Sequence, residues 1–167
     1  MIHGMAMSVY HKVPSMPGAY DKLGIHFQFP DSWRLDEADA LAGEQAVTVY
    51  SPDGAFWSVM VHPPTQELQP LADASLETMK QVYDELDAEA VRETVAGVEL
   101  LGYDINFYCL DLTNTALVRA CRTAKAAYLI LCQADDREFD QIESVFRAIT
   151  QSLLVERNSF RSKKGTE

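Results

Sequence analysis

Hydrophobic and polar residues alternate near the start of the chain, which predicts a short strand. Ile25, Phe27 and Phe29 are separated by single polar residues, and this period of two is typical of a strand with one buried face. Pro30 cannot donate a ladder hydrogen bond, so we expect the strand to end there. A second short strand is expected to open at Trp33 and to lead into an acidic loop.

A β-hairpin is predicted for residues 45–51 and 55–62. Apolar and less apolar residues alternate in both segments, as expected of strands. The sequence Ser51-Pro52-Asp53-Gly54 lies between them. Proline presets φ for a turn and glycine accepts the positive φ that closes it, so these four residues predict the turn of the hairpin.

Two segments change to a helical period. Apolar residues recur every three or four positions in residues 71–86 and again in residues 139–153, which predicts two amphipathic helices. The first stripe comprises Ala72, Leu76, Met79, Val82, Tyr83 and Leu86. The second comprises Phe139, Ile142, Val145, Phe146, Ile149 and Leu153. A helix with a single apolar stripe cannot bury itself, so we expect both helices to pack on a sheet.

Residues 91–134, between these helices, return to the period of strands. Gly97 is expected to interrupt them with a bulge or bend, and Tyr103, Ile105, Phe107 and Cys109 share one face of the following strand. Short turns join successive strands, which favours antiparallel pairing. The predicted fold class is α+β, as an α/β/α sandwich with a central, mostly antiparallel sheet flanked by helices.

The chain of 167 residues suits one domain of ordinary size. We expect residues 1–21 to form a flexible N-terminal arm, because they are rich in Met, Pro, Ser and Gly without periodicity. Residues 22–155 are expected to form a single α+β domain. Residues 156–167, which contain four basic and two acidic residues, are expected to form a disordered basic tail.

The order of elements resembles that of the PsbP-like superfamily, which includes an extrinsic photosystem II subunit, a Ran-binding nuclear import factor and bacterial proteins of unknown role. The resemblance rests on the opening and closing motifs, together with the hairpin and the mid-chain helix. The motifs are Gly24-Ile25-x-Phe27-x-Phe29-Pro30-x-x-Trp33 and Phe146-x-x-Ile149-x-x-Ser152-Leu153. The resemblance implies the sandwich fold and a binding module, but it transfers no particular function.

The net charge of −11 argues against nucleic acid as a partner. The tail contributes +2 to that total, so the rest of the chain carries −13. Such a surface repels phosphate backbones and is compatible with a basic protein partner. The sequence leaves open the identity of that partner and the oligomeric state of the chain. We therefore expect a non-enzymatic protein-binding adaptor or chaperone-like module.

Two candidate sites are predicted. Asp36, Glu37 and Asp39 belong to the acidic loop of residues 36–44, in a region comparable to the acidic surface that Ran-binding relatives use. Because no motif around these residues matches closely enough to carry that role over, their candidacy for partner binding rests on charge and position. We expect their carboxylates to be solvated and unpaired.

The alternative function is a small-ligand-binding protein or enzyme with a polar pocket between sheet and helix. Its candidates are Asp104, Asn106, Arg119 and Arg122. Arg119 and Arg122 fall on opposite faces of one strand, while Asp104 and Asn106 share a face of its expected hairpin partner. An ion pair between Asp104 and either arginine across the two strands would explain these residues as ordinary structural contacts, without a pocket.

We identify no catalytic residues, metal ligands or cofactor motifs. The three cysteines, Cys109, Cys121 and Cys132, fall in apolar runs without Cys-x-x-Cys spacing, so we expect free buried thiols. No apolar run approaches the roughly 18–20 residues of a membrane span. Residues 1–20 lack the basic head and apolar block of a secretory signal, so a cytoplasmic location is expected.

Overall fold

The computed structural model describes residues 16 and 18–164, with side chains described through residue 155. In chain order the elements are β1 (Gly18–Lys22), β2 (Ile25–Phe29), β3 (Arg34–Asp36), α1 (Ala38–Leu41), β4 (Ala46–Tyr50), β5 (Phe56–His62), α2 (Leu68–Val82), β6 (Leu86–Val95), β7 (Val98–Cys109), β8 (Leu112–Arg122), β9 (Ala127–Asp135) and α3 (Asp136–Lys164).

A seven-stranded antiparallel sheet forms the middle layer, in the order β3-β4-β5-β9-β8-β7-β6. Strands β1 and β2 pair only with each other, as a separate antiparallel ribbon. The two longer helices pack on opposite faces of the large sheet. The predicted α/β/α sandwich with an antiparallel sheet is therefore confirmed.

Helix α2 covers one face of β7, β8 and β9. Its residues Ala72 and Leu76 are buried against a core that includes Ile105, Phe107 and Val118. These three alternate with residues that point to the opposite face, as the period of two requires. The face predicted for Tyr103, Ile105, Phe107 and Cys109 is the one that packs on α2.

Helix α3 and the β1–β2 ribbon share the other face, where the larger core lies. Trp57 is fully buried, its ring centroid 4.8 Å from that of Phe27 on the ribbon. Phe146 of α3 is 1% exposed and meets the edge of the Trp33 ring at 6.0 Å. The hydroxyl of Ser152 accepts a hydrogen bond from Gln28 N at 2.8 Å, which joins helix and ribbon.

The start of α3 is set by Asp135. Its Oδ1 accepts a hydrogen bond from Glu138 N at 3.0 Å, the usual role of an N-cap residue. Because this contact fixes the first turn, it also fixes which later residues of α3 face the sheet.

Several predicted elements match the structure. The hairpin of β4 and β5 is confirmed, with Gly54 at φ = 99° and its N–H donating to Ser51 O at 3.2 Å. The interruption at Gly97 proves to be a two-residue hairpin turn between β6 and β7 rather than a bulge. The predicted acidic loop contains the short helix α1.

Three boundaries differ from the expectation. Residues 18–21 belong to β1 instead of a flexible arm, since Tyr20 is buried and stacks on Phe27. Helix α2 ends at Val82, which is 65% exposed, and Leu86 opens β6. Helix α3 runs to Lys164, so the predicted tail of residues 156–167 begins inside a helix. Residues 1–15, 17 and 165–167 lie outside the described residues.

Candidate binding cleft

A polar cleft of about 520 Å³ opens between the first half of α3 and strands β6 to β9. Its walls are the residues of β6, β7 and β8 that point away from α2, together with one flank of α3. The charged lining residues are Glu89, Glu93, Asp104, Arg119, Asp136, Asp140, Glu143 and Arg147. Six carboxylates thus surround two guanidinium groups, so the lining is strongly acidic.

Arg119 lies on the floor of the cleft, with 8% of its side chain exposed. Its Nη2 donates to Asp104 Oδ1 at 2.6 Å and its Nε donates to Glu93 Oε1 at 3.3 Å. Its Nη1 donates to the carbonyls of Tyr103 and Val118, each at 3.1 Å. A buried guanidinium needs such partners to offset its lost hydration, and here two carboxylates and two carbonyls supply them.

Gly102 explains why β7 and β8 come so close beside Arg119. The two residues are register partners, and a Cβ on Gly102 would lie 1.8 Å from Val118 O. A glycine is therefore required here for steric reasons. The absent side chain leaves space for the Val118 carbonyl, which accepts from Arg119.

The mouth of the cleft is formed mainly by α3 and β6. Arg147 Nη2 lies 3.5 Å from Glu93 Oε2, so Glu93 bridges both guanidinium groups. Glu89, Asp140 and Glu143 are exposed, and no ion pair within residues 16 and 18–155 involves any of the three. These three carboxylates carry the unneutralised charge of the mouth.

The hydroxyl of Thr115 connects β8 to the start of α3. Its Oγ1 lies 2.7 Å from Asp136 Oδ1 and 3.1 Å from Asn106 Oδ1. A hydroxyl carries one proton, so it donates to one of these oxygens at a time. The contact holds one end of the cleft together.

The deeper lining contains a thiol and an alcohol without catalytic activation. Cys132 is 4% exposed, and burial raises the pKa of its thiol well above the usual range. A protonated thiol is a poor nucleophile. The Oγ1 of Thr150 accepts a hydrogen bond from Trp57 Nε1 at 2.9 Å. Histidine is absent from the lining residues, so neither group has an imidazole base beside it.

The structure brings together three of the four residues predicted for a pocket. Asp104, Asn106 and Arg119 all line the cleft, and the ordinary Arg119–Asp104 pair is present. Arg122 does not join them. It points to the opposite face, where its guanidinium donates to Pro64 O at 2.8 Å and to Gln66 O at 2.7 Å, and so ties the start of the β5–α2 connection to β8.

The acidic loop lies apart from the cleft, and none of its residues lines it. Two of its carboxylates have partners, contrary to the expectation of unpaired groups. Lys22 Nζ donates to Glu37 Oε1 at 3.0 Å, which raises the pKa of Lys22, and Asp36 Oδ1 accepts from Ala38 N at 3.0 Å. Asp39 is exposed in the first turn of α1.

Sequence reasoning missed the contribution of β6 and α3 to the cleft. On α3, charged residues recur at positions 136, 140, 143 and 147, the spacing of one helical face. They run beside the apolar stripe that contains Phe139 and Phe146. On β6, Glu89 and Glu93 share one face because their separation is even. These two periodicities are visible in the sequence and group the charged residues by face, but they do not show that the two faces meet at a cleft.

Two features are absent from the described residues. No group of three or more His, Cys, Asp or Glu side chains in that part of the chain is arranged to hold a metal ion. Among residues 16 and 18–164, none of the helices combines the length and apolar character needed to cross a bilayer.

Solved structures with a similar arrangement include cyanobacterial PsbP from Synechocystis, with a TM-score of 0.53 and 18% sequence identity; the match covers 80% of this chain and 89% of that chain. A putative regulator of unknown function from Pseudomonas aeruginosa has a TM-score of 0.51 and 13% identity, covering 81% of this chain and 94% of that chain. A protein from Bacteroides thetaiotaomicron has a TM-score of 0.54 and 12% sequence identity; the match covers 80% of this chain and 48% of that chain.

This chain therefore has the PsbP-like fold, and the resemblance seen in its opening and closing motifs is confirmed at the level of the fold. At these identities the likeness extends to the fold alone. No family model and no curated protein matches the sequence. One of the three is itself a protein of unknown function and putative regulator, and none of the three indicates a specific function or enzymatic activity for this chain.

Proposed function

We propose that this protein is a non-catalytic binding module whose cleft between α3 and the sheet receives a positively charged group of a protein partner. The observation that supports this most directly is the excess of carboxylates around the cleft of about 520 Å³. The proposal retains the basic protein partner expected from the charge of the chain and moves the contact surface from the acidic loop to the cleft.

The arrangement of charges favours a cation over an anion. The donors of Arg119 already serve Asp104, Glu93 and two carbonyls, so an anion could not bind this guanidinium without displacing a carboxylate. Glu89, Asp140 and Glu143 at the mouth have no ion-pair partner among the side chains described up to residue 155. Low-dielectric walls lined by one sign of charge focus the field and attract counter-charges, so a lysine or arginine side chain is the favoured occupant.

The chemistry of the lining supports binding without catalysis. The thiol of Cys132 is held protonated by burial, and the guanidinium of Arg119 is held by carboxylates. The hydroxyl oxygen of Thr150 accepts a hydrogen bond from the indole N–H of Trp57. These groups stabilise the cleft and leave no activated nucleophile among its lining residues. We also place the protein in the cytoplasm, where its three free thiols would stay reduced.

The volume of the cleft supports a second candidate, a small organic cation such as a polyamine. Small-molecule sites commonly occupy about 300–1,000 Å³, and the cleft falls in that range. The recognition chemistry is the same for both candidates, since an ammonium or guanidinium group meets the carboxylates of the mouth. The two candidates differ only in whether the cation belongs to a protein side chain or to a small molecule.

Amide chemical shifts during titration of the ¹⁵N-labelled protein test the proposal. A tetralysine peptide and spermidine serve as the two probes. Binding in the cleft predicts shifts in residues 136–147 of α3 and in β6 to β8 that saturate and weaken as salt rises. Tighter binding of the peptide supports a protein partner, and tighter binding of spermidine supports the small cation. Shifts confined to residues 36–44, or none at all, would contradict the cleft assignment.

A further inference from the structure

A second surface lies at the end of the molecule where the β7–β8 turn meets the α2–β6 connection. Four of the six most exposed large hydrophobic residues among the described side chains lie in these two connections or within two residues of them. Leu110 is 91% exposed, Val82 65%, Tyr108 56% and Leu112 39%. We call these four residues, with Asp84, Glu85 and Asp111, the hairpin-tip surface. Clustered exposed apolar residues are characteristic of interaction sites.

The hairpin-tip surface has a concave part with fixed walls. A hollow of about 430 Å³ lies between residues 82–85 and residues 108–111. Tyr108 N donates to Glu85 O at 3.3 Å, which joins the two walls. Beneath them the rings of Tyr83 and Phe107 pack at 4.3 Å between centroids. The hollow is thus formed before any partner arrives, which lowers the ordering cost of binding.

The backbone conformation at Leu110 is energetically unfavourable for a leucine, which indicates that this side chain has a role. Leu110 and Asp111 form a two-residue hairpin turn with φ of 52° and 62°, the signs of a type I′ turn. The turns at Leu23-Gly24 and Ala96-Gly97 also have two positive φ values, but each places glycine second. A leucine strains such a position. Leu23 has the same strain but packs against the core, whereas nearly all of the Leu110 side chain is in solvent. Folding alone would favour Asn-Gly.

The charge of the hairpin-tip surface selects the kind of partner. Asp84, Glu85 and Asp111 line the hollow, and no basic residue is among its lining residues. These carboxylates repel an anionic membrane and a second copy of the same surface. They complement an apolar side chain flanked by lysine or arginine.

We infer that the hairpin-tip surface docks an apolar side chain of a partner peptide segment that is flanked by basic residues. Leu110 and Tyr108 contact the apolar side chain in the hollow, and Asp84, Glu85 and Asp111 meet the flanking cations. The inference is independent of the cleft, because the two sites share no lining residue.

The test pans a phage-displayed library of random 16-residue peptides against the full chain. Wild type is compared with a variant that carries Leu110→Asn and Asp111→Gly, which removes the anchor and improves the turn. We expect the library to be enriched in peptides with apolar residues flanked by Lys or Arg. Those peptides should bind the variant at least about tenfold more weakly than wild type. The Tm of the variant should be no lower than that of wild type. Leu41→Asn, at another exposed leucine (79%), should bind as wild type does.

The remaining outcomes overturn the inference. Equal binding of the enriched peptides to wild type and to the Asn-Gly variant would do so, as would a library that yields no such peptides. Concentration-dependent dimerisation that the variant loses would assign the surface to a second copy of the chain. Binding to phosphatidylcholine–phosphatidylserine vesicles that the variant loses would assign it to a membrane.

Discussion

The guanidinium of Arg119 lies 2.6 Å from the carboxylate of Asp104, on neighbouring strands at the floor of the cleft. This pair has a double role. Asp104 neutralises the buried guanidinium of Arg119. As a result, the positive charge of Arg119 does not offset the carboxylates at the mouth. The acidity of the cleft is therefore a consequence of how the floor is built.

Replacing Arg119 by Met should destabilise the fold. The variant leaves Asp104 without its cation and Glu93 with Arg147 alone, and breaking a buried pair costs roughly 3–5 kcal/mol. Because Glu93 and Asp104 keep 31% and 40% of their side chains exposed, we expect about 3 kcal/mol, measured by urea unfolding. Arg92→Met is the matched control, since the exposed Arg92–Glu99 pair should contribute less than about 1 kcal/mol. Equal losses would show that Arg119 is not effectively buried.

Replacing Phe146 by Ala should create a cavity between α3 and the sheet. The side chain is 1% exposed and meets Trp33 and Phe139, so the expected loss is about 3–5 kcal/mol. Thermal and urea unfolding measure it. Val155→Ala on the same helix, where the residue is 40% exposed, should change stability by well under 1 kcal/mol. A Phe146→Ala Tm within a degree or two of wild type would contradict the packing of α3.

The hydrogen bond from Tyr103 to Asp73 should make the stability of the fold depend on pH in both the acidic and the alkaline range. The hydroxyl lies 2.5 Å from Asp73 Oδ1 and lowers the pKa of that carboxyl, while the same contact raises the pKa of Tyr103. A lowered carboxyl pKa stabilises the fold above the usual value near 3.8, and this contribution is lost as pH falls through the folded pKa. A raised tyrosine pKa stabilises the fold below pH 10 and is lost at higher pH.

Tyr103→Phe removes that contact and so provides the measurement. Carboxyl ¹³C titration should show the Asp73 pKa rising towards its ordinary value, and the stability difference from wild type should be larger at pH 6 than at pH 2.5. Tyr108→Phe is the control, because Tyr108 is exposed and should leave the Asp73 pKa unchanged. An Asp73 pKa that does not move in Tyr103→Phe would show that the hydrogen bond does not form in solution.

The cysteines should differ in reactivity. Burial raises the pKa of Cys121 to about 12 and raises that of Cys132 further, whereas Cys109 is partly exposed. Iodoacetamide at pH 8 should therefore modify Cys109 first in the native protein, and all three thiols should react in urea. Peptide mass spectrometry locates the adducts. Native modification of Cys132 at a rate similar to Cys109 would show that the floor of the cleft opens.

Much of the fold could be predicted because burial imposes a period on the sequence. The hairpin of β4 and β5 and both packed helices follow from alternation and helical stripes. The end of α2 did not follow, since the spacing of the stripe continues past Val82 and residues 83–85 contain neither proline nor glycine. Strand β1 was missed because a single buried residue, Tyr20, leaves no visible alternation.

The candidate site could be predicted only in part. Strand parity placed Asp104 and Asn106 on one face of β7 and the two arginines on opposite faces of β8, but it left open which arginine lies beside Asp104. The structure places Arg119 there and Arg122 on the other face. The carboxylates of α3 could not be assigned from the sequence, because the tilt of α3 over the sheet decides which flank leaves an open space. That tilt depends on long-range packing of Phe146 and Trp33.

Binding of tetralysine to two charge-matched variants tests the central claim most directly. One variant neutralises the mouth of the cleft with Glu89→Gln, Asp140→Asn and Glu143→Gln. The other neutralises the acidic loop with Asp36→Asn, Glu37→Gln and Asp39→Asn. Both remove three negative charges. The amide oxygens of the loop variant can still accept from Ala38 N and Lys22 Nζ, and the three residues of the mouth are exposed, so both variants should fold with nearly unchanged stability.

Calorimetric titration at low salt then separates the two surfaces. The account predicts that the mouth variant binds at least about tenfold more weakly than wild type, a loss of about 1.4 kcal/mol, while the loop variant stays within about twofold. Weaker binding by the loop variant alone, or an equal loss in both, would contradict the assignment of the cleft as the binding site.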